Sequence, residues 1–309
     1  MRAATQQPQP QQSQQPQQSQ SKLCKNCQAK PVYVDQSRAH DFCGRTCANA
    51  YAQGGNGGNQ QQASTAAGQN AGAGKCLLCG QRPRAFVGGR LSDFCSIKCR
   101  DDVYRASPAI LEVPNSQDEY RNVADQFKDQ WKHTPNPPSV VKVYKTYPPQ
   151  SHMKSFLAYK ASVGNSRRRW HGTTRYCRIG DDAQHTDFCA NANCWICNIL
   201  QNSFQVVKAG QNTGVRNGRF GVGIYTSATS SKAKDYIKNL GGSNYRALIL
   251  SEVVMGKVCK LLDGDSTLTQ PPSSYDSVVG EPGRCLNYDE AVVYSNDAIR
   301  PLYLVIYKP

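Results

Sequence analysis

No apolar run in this chain of 309 residues approaches the length needed to span a bilayer. The longest, near Ala247 to Val254 and Leu302 to Tyr307, fall well short of the ~20 residues that crossing requires. Nothing after Met1 forms the apolar core of a secretory signal. Apolar side chains are scarce through the first 75 positions although they make up 39% of the whole, so the sizeable core must lie C-terminal. These absences point to an intracellular protein, nuclear or cytoplasmic, with no membrane partner. Acid is short too: 22 Asp and Glu stand against 37 Lys and Arg, a formal charge of +15.

Cysteine, by contrast, is plentiful. Fourteen cysteines in a chain without a secretion signal argue for metal before disulfides, because reducing compartments keep thiols free and thiolates bind zinc tightly. Three zinc sites of four thiolates each would lower the net charge to about +9. The chain would remain basic, but its charge alone would no longer demand nucleic acid.

The cysteines are ordered. Cys24-x2-Cys27-x15-Cys43-x3-Cys47 is repeated, spacing for spacing, by Cys76-x2-Cys79-x15-Cys95-x3-Cys99, with Asp41-Phe42 and Asp93-Phe94 before each third cysteine. The first pair makes a tight turn with converging thiolates. The residues between, Pro31 to Val34 and Arg84 to Val87, suit a short hairpin, and the x3 spacing sets the second pair one helical turn apart. Each unit is too small to fold on an apolar core alone, so metal binding is also folding. We expect zinc modules over 23–51 and 75–105 that resemble small treble-clef fingers. Lys25, Lys30, Arg38 and Arg45 in the first and Arg82, Arg84, Arg90, Lys98 and Arg100 in the second would suit nucleic acid; a protein-binding or spacing role is the alternative. Around the modules lie a Gln/Pro-rich tail, 1–22, and a Gly/Gln-rich linker, 52–74, too poor in apolar side chains to offset the entropy of ordering.

From Asp118 the pattern is globular. Ser116-x-x-Glu119 reads as a capping box for a helix carrying Tyr120, Val123, Phe127 and Trp131 on one face. Val140 to Tyr144 reads as a strand, and Met153, Phe156, Leu157 and Tyr159 as a further short helix. A third cluster, Cys177 with Cys189-x4-Cys194-x2-Cys197, reads as structural zinc beside a helix bearing Ile196, Ile199, Leu200 and Phe204. His185 is the alternative fourth ligand; Cys177 is preferred because all-thiolate sets are the commonest closed sites. Cys259 and Cys285 lie in strand-like apolar runs and read as buried small residues.

Between these elements stand the chemical candidates. Trp170-His171-Gly172-Thr173 follows a basic run, and Gly221-Val222-Gly223-Ile224-Tyr225 is a pliant loop leading into a strand. It has neither the strand-then-helix setting of a dinucleotide-binding fingerprint nor the Gly-Lys-Ser/Thr of a P-loop. Ala233, Tyr236, Ile237 and Leu240 mark a helix face after it, and Ala247 to Leu262 is strand-rich. Glu290 precedes Ala291-Val292-Val293, where a carboxylate either faces solvent from an alternating strand or has a chemical reason to be there.

Taken together, His171 in His-Gly-Thr, Tyr225 before a Ser/Lys-rich helix start, and Glu290 ahead of a closing strand from Tyr303 to Tyr307 resemble the catalytic domain of the poly(ADP-ribose) polymerase family over residues 110–309. The likeness is greatest to fungal-type members with an inserted cysteine cluster, here 177–197. The resemblance implies an α+β fold of split antiparallel sheets with flanking helices, and an enzyme that moves ADP-ribose from NAD, its substrate, to a protein acceptor that can be the chain itself. It implies Glu290 on the ribose hydroxyl and acceptor, His171 on the other ribose, Gly172 and Thr173 at the donor, and Tyr225 and Tyr236 stacking on nicotinamide; packing is the alternative use of both tyrosines. The family's serine for the nicotinamide amide aligns with Ala233, and Ser231, two residues earlier, cannot face the same way on a helix. The stretch from Ala106 to Val163 is too short for the helical regulatory domain that some members carry. A non-catalytic reader of NAD or ADP-ribose is the competing expectation.

Overall fold

The computed structural model describes residues 22–25, 31–34, 38–44, 47–48 and 74–309. The expected tail and linker fall almost wholly outside these residues, as do Cys27, Lys30 and Arg45. The chain divides into two compact units, Met1–Thr65 and Ala66–Pro309.

In the first unit, antiparallel bridges pair Leu23 with Pro31 and Val34 with Ala39. Lys22 and Lys25 each reach Asp41 at 3.0 Å, and the sulfurs of Cys24, Cys43 and Cys47 converge within 4.8 Å of one another. These bridges fall where the hairpin of Pro31 to Val34 is expected, with residues 35–37 outside the described residues.

The second unit opens with the second cysteine repeat. Strands β1 (Phe86–Val87) and β2 (Arg90–Leu91) form a hairpin whose turn needs left-handed backbone at Gly88 (φ 58°) and Gly89 (φ 77°). Helix α1 (Ile97–Arg105) follows, its first turn capped by the Ser96 hydroxyl, which accepts from the Cys99 amide at 3.2 Å. In chain order then come β3 (Ala109–Glu112), α2 (Asp118–Asp129), β4 (Ser139–Tyr147), α3 (Gln150–Val163), β5 (Ser166–His171), β6 (Thr174–Arg175) and α4 (Trp195–Asn202). After these lie β7 (Ile224–Thr226), α5 (Ser230–Lys234), β8 (Lys238–Asn239), β9 (Arg246–Val254), β10 (Val258–Leu261), β11 (Ser277–Gly280), β12 (Glu290–Val293) and β13 (Ile299–Lys308).

Two sheets organise the unit. One has the order β3-β4-β13-β9-β5 and is antiparallel throughout; the other, β10-β11-β12-β7, is antiparallel except for the parallel β10–β11 pair. An isolated bridge joins them, with Trp170 and Ser227 exchanging backbone hydrogen bonds of 2.8 and 3.0 Å. The architecture is the α+β arrangement of split antiparallel sheets expected from the resemblance.

The strand pattern explains the unbroken apolar run at Ala247. Ala247, Ile249 and Val253 pack on one face of β9 with Ile196, Leu200 and Ile306, while Leu248 and Leu250 pack on the other with Phe127, Trp170 and Val305. A central strand covered on both faces has no need to alternate with polar residues. Trp131 lies just past α2 and packs on Phe127 and Tyr307, with ring centroids 5.3 and 6.0 Å apart. It is therefore a packing residue, as its place on the stripe suggests.

Three local expectations differ from the structure. The capping box is absent: α2 starts at Asp118 behind Gln117, which makes no side-chain cap. Glu119 instead turns to Lys145 (2.8 Å), Arg84 (3.0 Å) and the Tyr303 hydroxyl (2.6 Å), because charged partners bind a carboxylate more strongly than a neutral amide does. The helix expected through Leu240 stops at Lys234, and the chain straightens so that β8 pairs in parallel with β6. Cys285 is half-buried in a turn, its thiol donating to the Leu262 carbonyl at 3.0 Å, while Cys259 is a half-buried residue of β10.

Arg84 also seats the second repeat on the sheet. It is 6% exposed and donates to Ser92 O (2.6 Å), Gln117 Oε1 (2.8 Å), Asp93 (2.9 Å) and Glu119 (3.0 Å). Asp93 further meets Lys145 at 2.7 Å and the Tyr147 hydroxyl at 3.0 Å. The repeat and the sheet therefore share one buried polar network, as well as the apolar contacts of Phe94 and Val103 with Tyr147.

Candidate active site

A cavity of about 320 Å³ lies where the two sheets meet. Its lining includes His171, Gly172 and Thr173, which end β5 and follow it; Tyr225 of β7; Ala233 of α5; Tyr236; and Glu290, the first residue of β12. The expected donor-binding and catalytic residues thus converge on one pocket. Their coming together follows from the sheet order: β12 pairs with β7, and β7 leads into Ser227, which is bridged to Trp170 beside His171.

Glu290 is 7% exposed. The solvent-facing alternative is therefore not what the strand adopts. Its Oε1 lies 3.1 Å from the Lys232 ammonium and accepts from the Tyr236 hydroxyl at 3.3 Å. Burial opposes the charge on Lys232, yet Tyr236 and Glu290 together carry its pKa above the ordinary value. The neighbouring Asp289 fastens the turn between β7 and α5 by accepting from the Ser227 hydroxyl (2.9 Å) and the Ala228 amide (3.0 Å). That staple fixes the distance between the Glu290 strand and the helix that presents Lys232.

His171 is oriented by its Nδ1, 2.9 Å from the Tyr225 carbonyl. A carbonyl only accepts, so Nδ1 carries the proton and Nε2 of the neutral ring is an acceptor. Burial pushes the His171 pKa down, partly offset by that backbone bond, which keeps the ring neutral near pH 7. Nε2 can then receive a hydroxyl hydrogen. The ring stands edge-on to Phe204, with centroids 5.1 Å apart.

Gly172 is required by close packing. A Cβ there would collide with the Ala233 carbonyl, so β5 can lie this close to α5 only through glycine. Tyr225 is fixed at its far end: its hydroxyl donates to Gly221 O and accepts from the Phe220 amide, both at 2.8 Å. Its ring therefore stays on the pocket wall. Ser231 is fully buried and accepts from the Lys132 amide at 2.9 Å, so its hydroxyl serves the end of α2 and leaves position 233 without a substitute.

The third cysteine set adjoins this pocket. Cys177, Cys189, Cys194 and Cys197 present sulfurs within 4.8 Å of one another, with Cys177 3.7 Å from Cys194 and 3.5 Å from Cys197. His185 turns away to Asp182 at 2.7 Å, in keeping with the preference for Cys177. Cys76, Cys79, Cys95 and Cys99 form a second complete set. Four convergent sulfurs fit the closed tetrahedral donor set of structural zinc. Metal at either set would supply local folding energy.

Sequence reasoning missed several lining residues. Lys232 was legible only as part of a Ser/Lys-rich helix start, and Trp195, Asn198 and Lys208 carried no motif. A count of charge would have found the wider pattern: Lys208, Arg216, Arg219 and Lys232 line the pocket against the single carboxylate of Glu290.

Comparison with known proteins adds an independent observation. Residues 188–284 match the poly(ADP-ribose) polymerase catalytic domain, a span that holds Tyr225, Lys232 and Tyr236 and stops short of Glu290. The chain is 30% identical over 118 residues to the protein mono-ADP-ribosyltransferase PARP4 of Mus musculus, covering 36% of this chain and 6% of that protein. It is 24% identical over 211 residues to human PARP4, 65% of this chain and 11% of that one. It is 29% identical over 126 residues to Mus musculus protein mono-ADP-ribosyltransferase PARP3, 38% of this chain and 18% of that one. The chain therefore spans less than a fifth of the length of these relatives, and what the comparisons show is a likeness to the poly(ADP-ribose) polymerase catalytic domain over residues 188–284, within the split-sheet unit that holds the pocket.

Proposed function

We propose that this protein is an NAD-dependent ADP-ribosyltransferase, moving ADP-ribose to a protein acceptor, itself included, with release of nicotinamide and a proton. The observation that carries the reading is Glu290, a buried carboxylate and the single acid of a pocket whose lining also holds Lys208, Arg216, Arg219, Lys232, Tyr225 and Tyr236. Breaking the bond from nicotinamide to ribose builds positive charge at the ribose carbon, and a fixed carboxylate stabilises it. The same carboxylate, hydrogen-bonded to a ribose hydroxyl, orients the acceptor and takes up its proton as the new bond forms. Neutral His171 offers Nε2 to the other ribose, Gly172 and Thr173 approach the carboxamide closely, and Tyr225 with Tyr236 flank the ring. Lys208, Arg216 and Arg219 supply the positive charge that a diphosphate calls for.

The test is incubation of zinc-loaded protein with adenylate-labelled NAD, beside Glu290→Gln, following free nicotinamide and label fixed to protein. Release and labelling should both fall by at least a hundredfold in the variant. Full transfer by Glu290→Gln would remove the reading. A ladder of labelled species would point to polymer and a single band to mono-transfer.

One observation favours a second reading, in which the pocket holds NAD or ADP-ribose without reacting. Ala233 stands where a hydroxyl would hold the nicotinamide amide, and Ser231 is committed elsewhere. Binding of NAD with neither nicotinamide release nor labelling would establish it. The two cysteine repeats and the third cluster are proposed as structural zinc sites, and fourteen cysteines, most of them at ligand spacing, support an intracellular, reducing compartment, nuclear or cytoplasmic. Nucleic acid as a partner of the repeats is an open proposal. In the second repeat Lys98, Arg100 and Arg105 are paired with Asp102, Asp101 and Asp102, which leaves Arg82 and Arg90 to carry such contact; a salt-dependent shift with RNA or DNA would reveal it.

A further inference from the structure

The residues lining the pocket fall into two sets. Glu290, Lys232, Tyr236 and Tyr225 make up the first, described above. Trp195, Asn198 and Lys208 make up the second: Lys208 Nζ donates to Asn198 Oδ1 at 3.0 Å and stands 5.8 Å from the centroid of the Trp195 ring. Trp195 and Asn198 are three apart on α4 and share a face. The turn that presents them is the turn bracketed by Cys194 and Cys197, two members of the third sulfur set. Nothing in the apolar core accounts for these three residues, since none belongs to a core cluster. No carboxylate pairs with Lys208 among the described residues.

We propose that the third cysteine set acts as part of the donor site: through the first turn of α4 it positions Trp195 as the platform for the purine of the donor, with Lys208 as the cation for its diphosphate, so that metal occupancy and binding of the purine end are coupled. This inference rests on the reading of the pocket as an NAD site. The chemistry is that of a flat aromatic face with a cation parked over it. A nucleotide's base stacks on such a face, while its phosphates draw the ammonium aside. Placement matters because the ring is carried by the helix turn that starts at Cys194 and holds Cys197. That turn is two residues from one sulfur of the set and next to another, so a metal drawing four sulfurs together fixes where the ring can lie. By linkage, whatever stacks on Trp195 must in turn tighten the metal by the same factor.

The zinc-loaded 309-residue chain is titrated with ADP-ribose and, separately, with benzamide as a probe of the nicotinamide end. Trp195→Ala should weaken ADP-ribose at least tenfold and leave benzamide within twofold, and Trp195→Phe should restore most of the loss. In wild-type protein, ADP-ribose should slow transfer of one zinc equivalent to a chelator severalfold, and benzamide should not. ADP-ribose affinity unchanged in Trp195→Ala, or zinc release indifferent to ADP-ribose, would overturn the inference while benzamide binding left the transferase reading standing. Failure of wild-type protein to bind either ligand would overturn both. Benzamide lost along with ADP-ribose in Trp195→Ala would assign the ring a merely structural role and also overturn the inference.

Discussion

The carboxylate at position 290 shows how far a single residue can be read. Its place before three apolar residues left two uses open, and the pairing of β12 with β7 and the approach of Lys232 and Tyr236 remove the solvent-facing one. Ala233 was legible as a missing hydroxyl, and its effect is measurable. Ala233→Ser should tighten benzamide and NAD by about 2- to 10-fold, the worth of one neutral hydrogen bond of about 0.5–1.5 kcal/mol, as read by titration calorimetry. Gly172→Ala should do the reverse, because the added methyl meets the Ala233 carbonyl: α5 must move, and a loss of ~1–3 kcal/mol of stability should accompany loss of donor binding. Acid pH acts through His171 and His152, both of whose pKa values burial lowers. The unfolded chain binds protons on these rings below about pH 6.5 and the native state does not, so stability should fall as pH drops below that value. The slope is at most ~1.4 kcal/mol per pH unit for each ring. Thermal melts at pH 7.5, 6.5 and 5.5 would show it, and His171→Asn should flatten the decline.

Among the elements, those with strong periodicity or strong β-branching were the legible ones. β4, β9 and β13 follow from their apolar runs, and α2 from Val123 and Phe127 at helical spacing. The start of α2 was misread because a local capping pattern competes with charged partners brought from Arg84 and Lys145, residues far away in the chain. The end of α5 was misread because strand pairing of Lys238–Asn239 with β6 overrode a four-residue periodicity. What the sequence did not suggest is that α2 works as a strut. Near its start Gln117 and Glu119 hold Arg84. Past its end Gln130 takes the Trp170 indole N–H at 2.5 Å and the Ser230 amide at 3.0 Å, and the Lys132 amide holds Ser231. Arg84→Met should therefore cost about 3 kcal/mol, the usual penalty for stripping one partner from a buried charge group. Hydrogen exchange should speed up in α5 as well as around Glu119. Faster exchange confined to the second repeat would count against transmission along the helix.

At the scale of the molecule, the likeness of the two cysteine repeats, and the zinc proposed for them, came from spacing, whereas their difference did not. The second repeat belongs to the unit that holds the pocket, so stripping its metal should lower the melting temperature of that unit, not merely unfold a small appendage. Calorimetry before and after a strong chelator would register a single transition shifted downward; two separate transitions would contradict the integration. The reason lies in a few substitutions inside a common frame. Arg84, Leu77 and Val103, the side chains that fasten the second repeat, correspond in spacing to Val32, Lys25 and Tyr51 of the first. A repeated cysteine pattern thus carries, in its second copy, a charged peg, Arg84, for a socket on the sheet. Exchanging the copies should leave a chain with every cysteine spacing intact and the socket of Glu119 and Lys145 unfilled. The spacing of the cysteines is common to both copies, and the arginine is not.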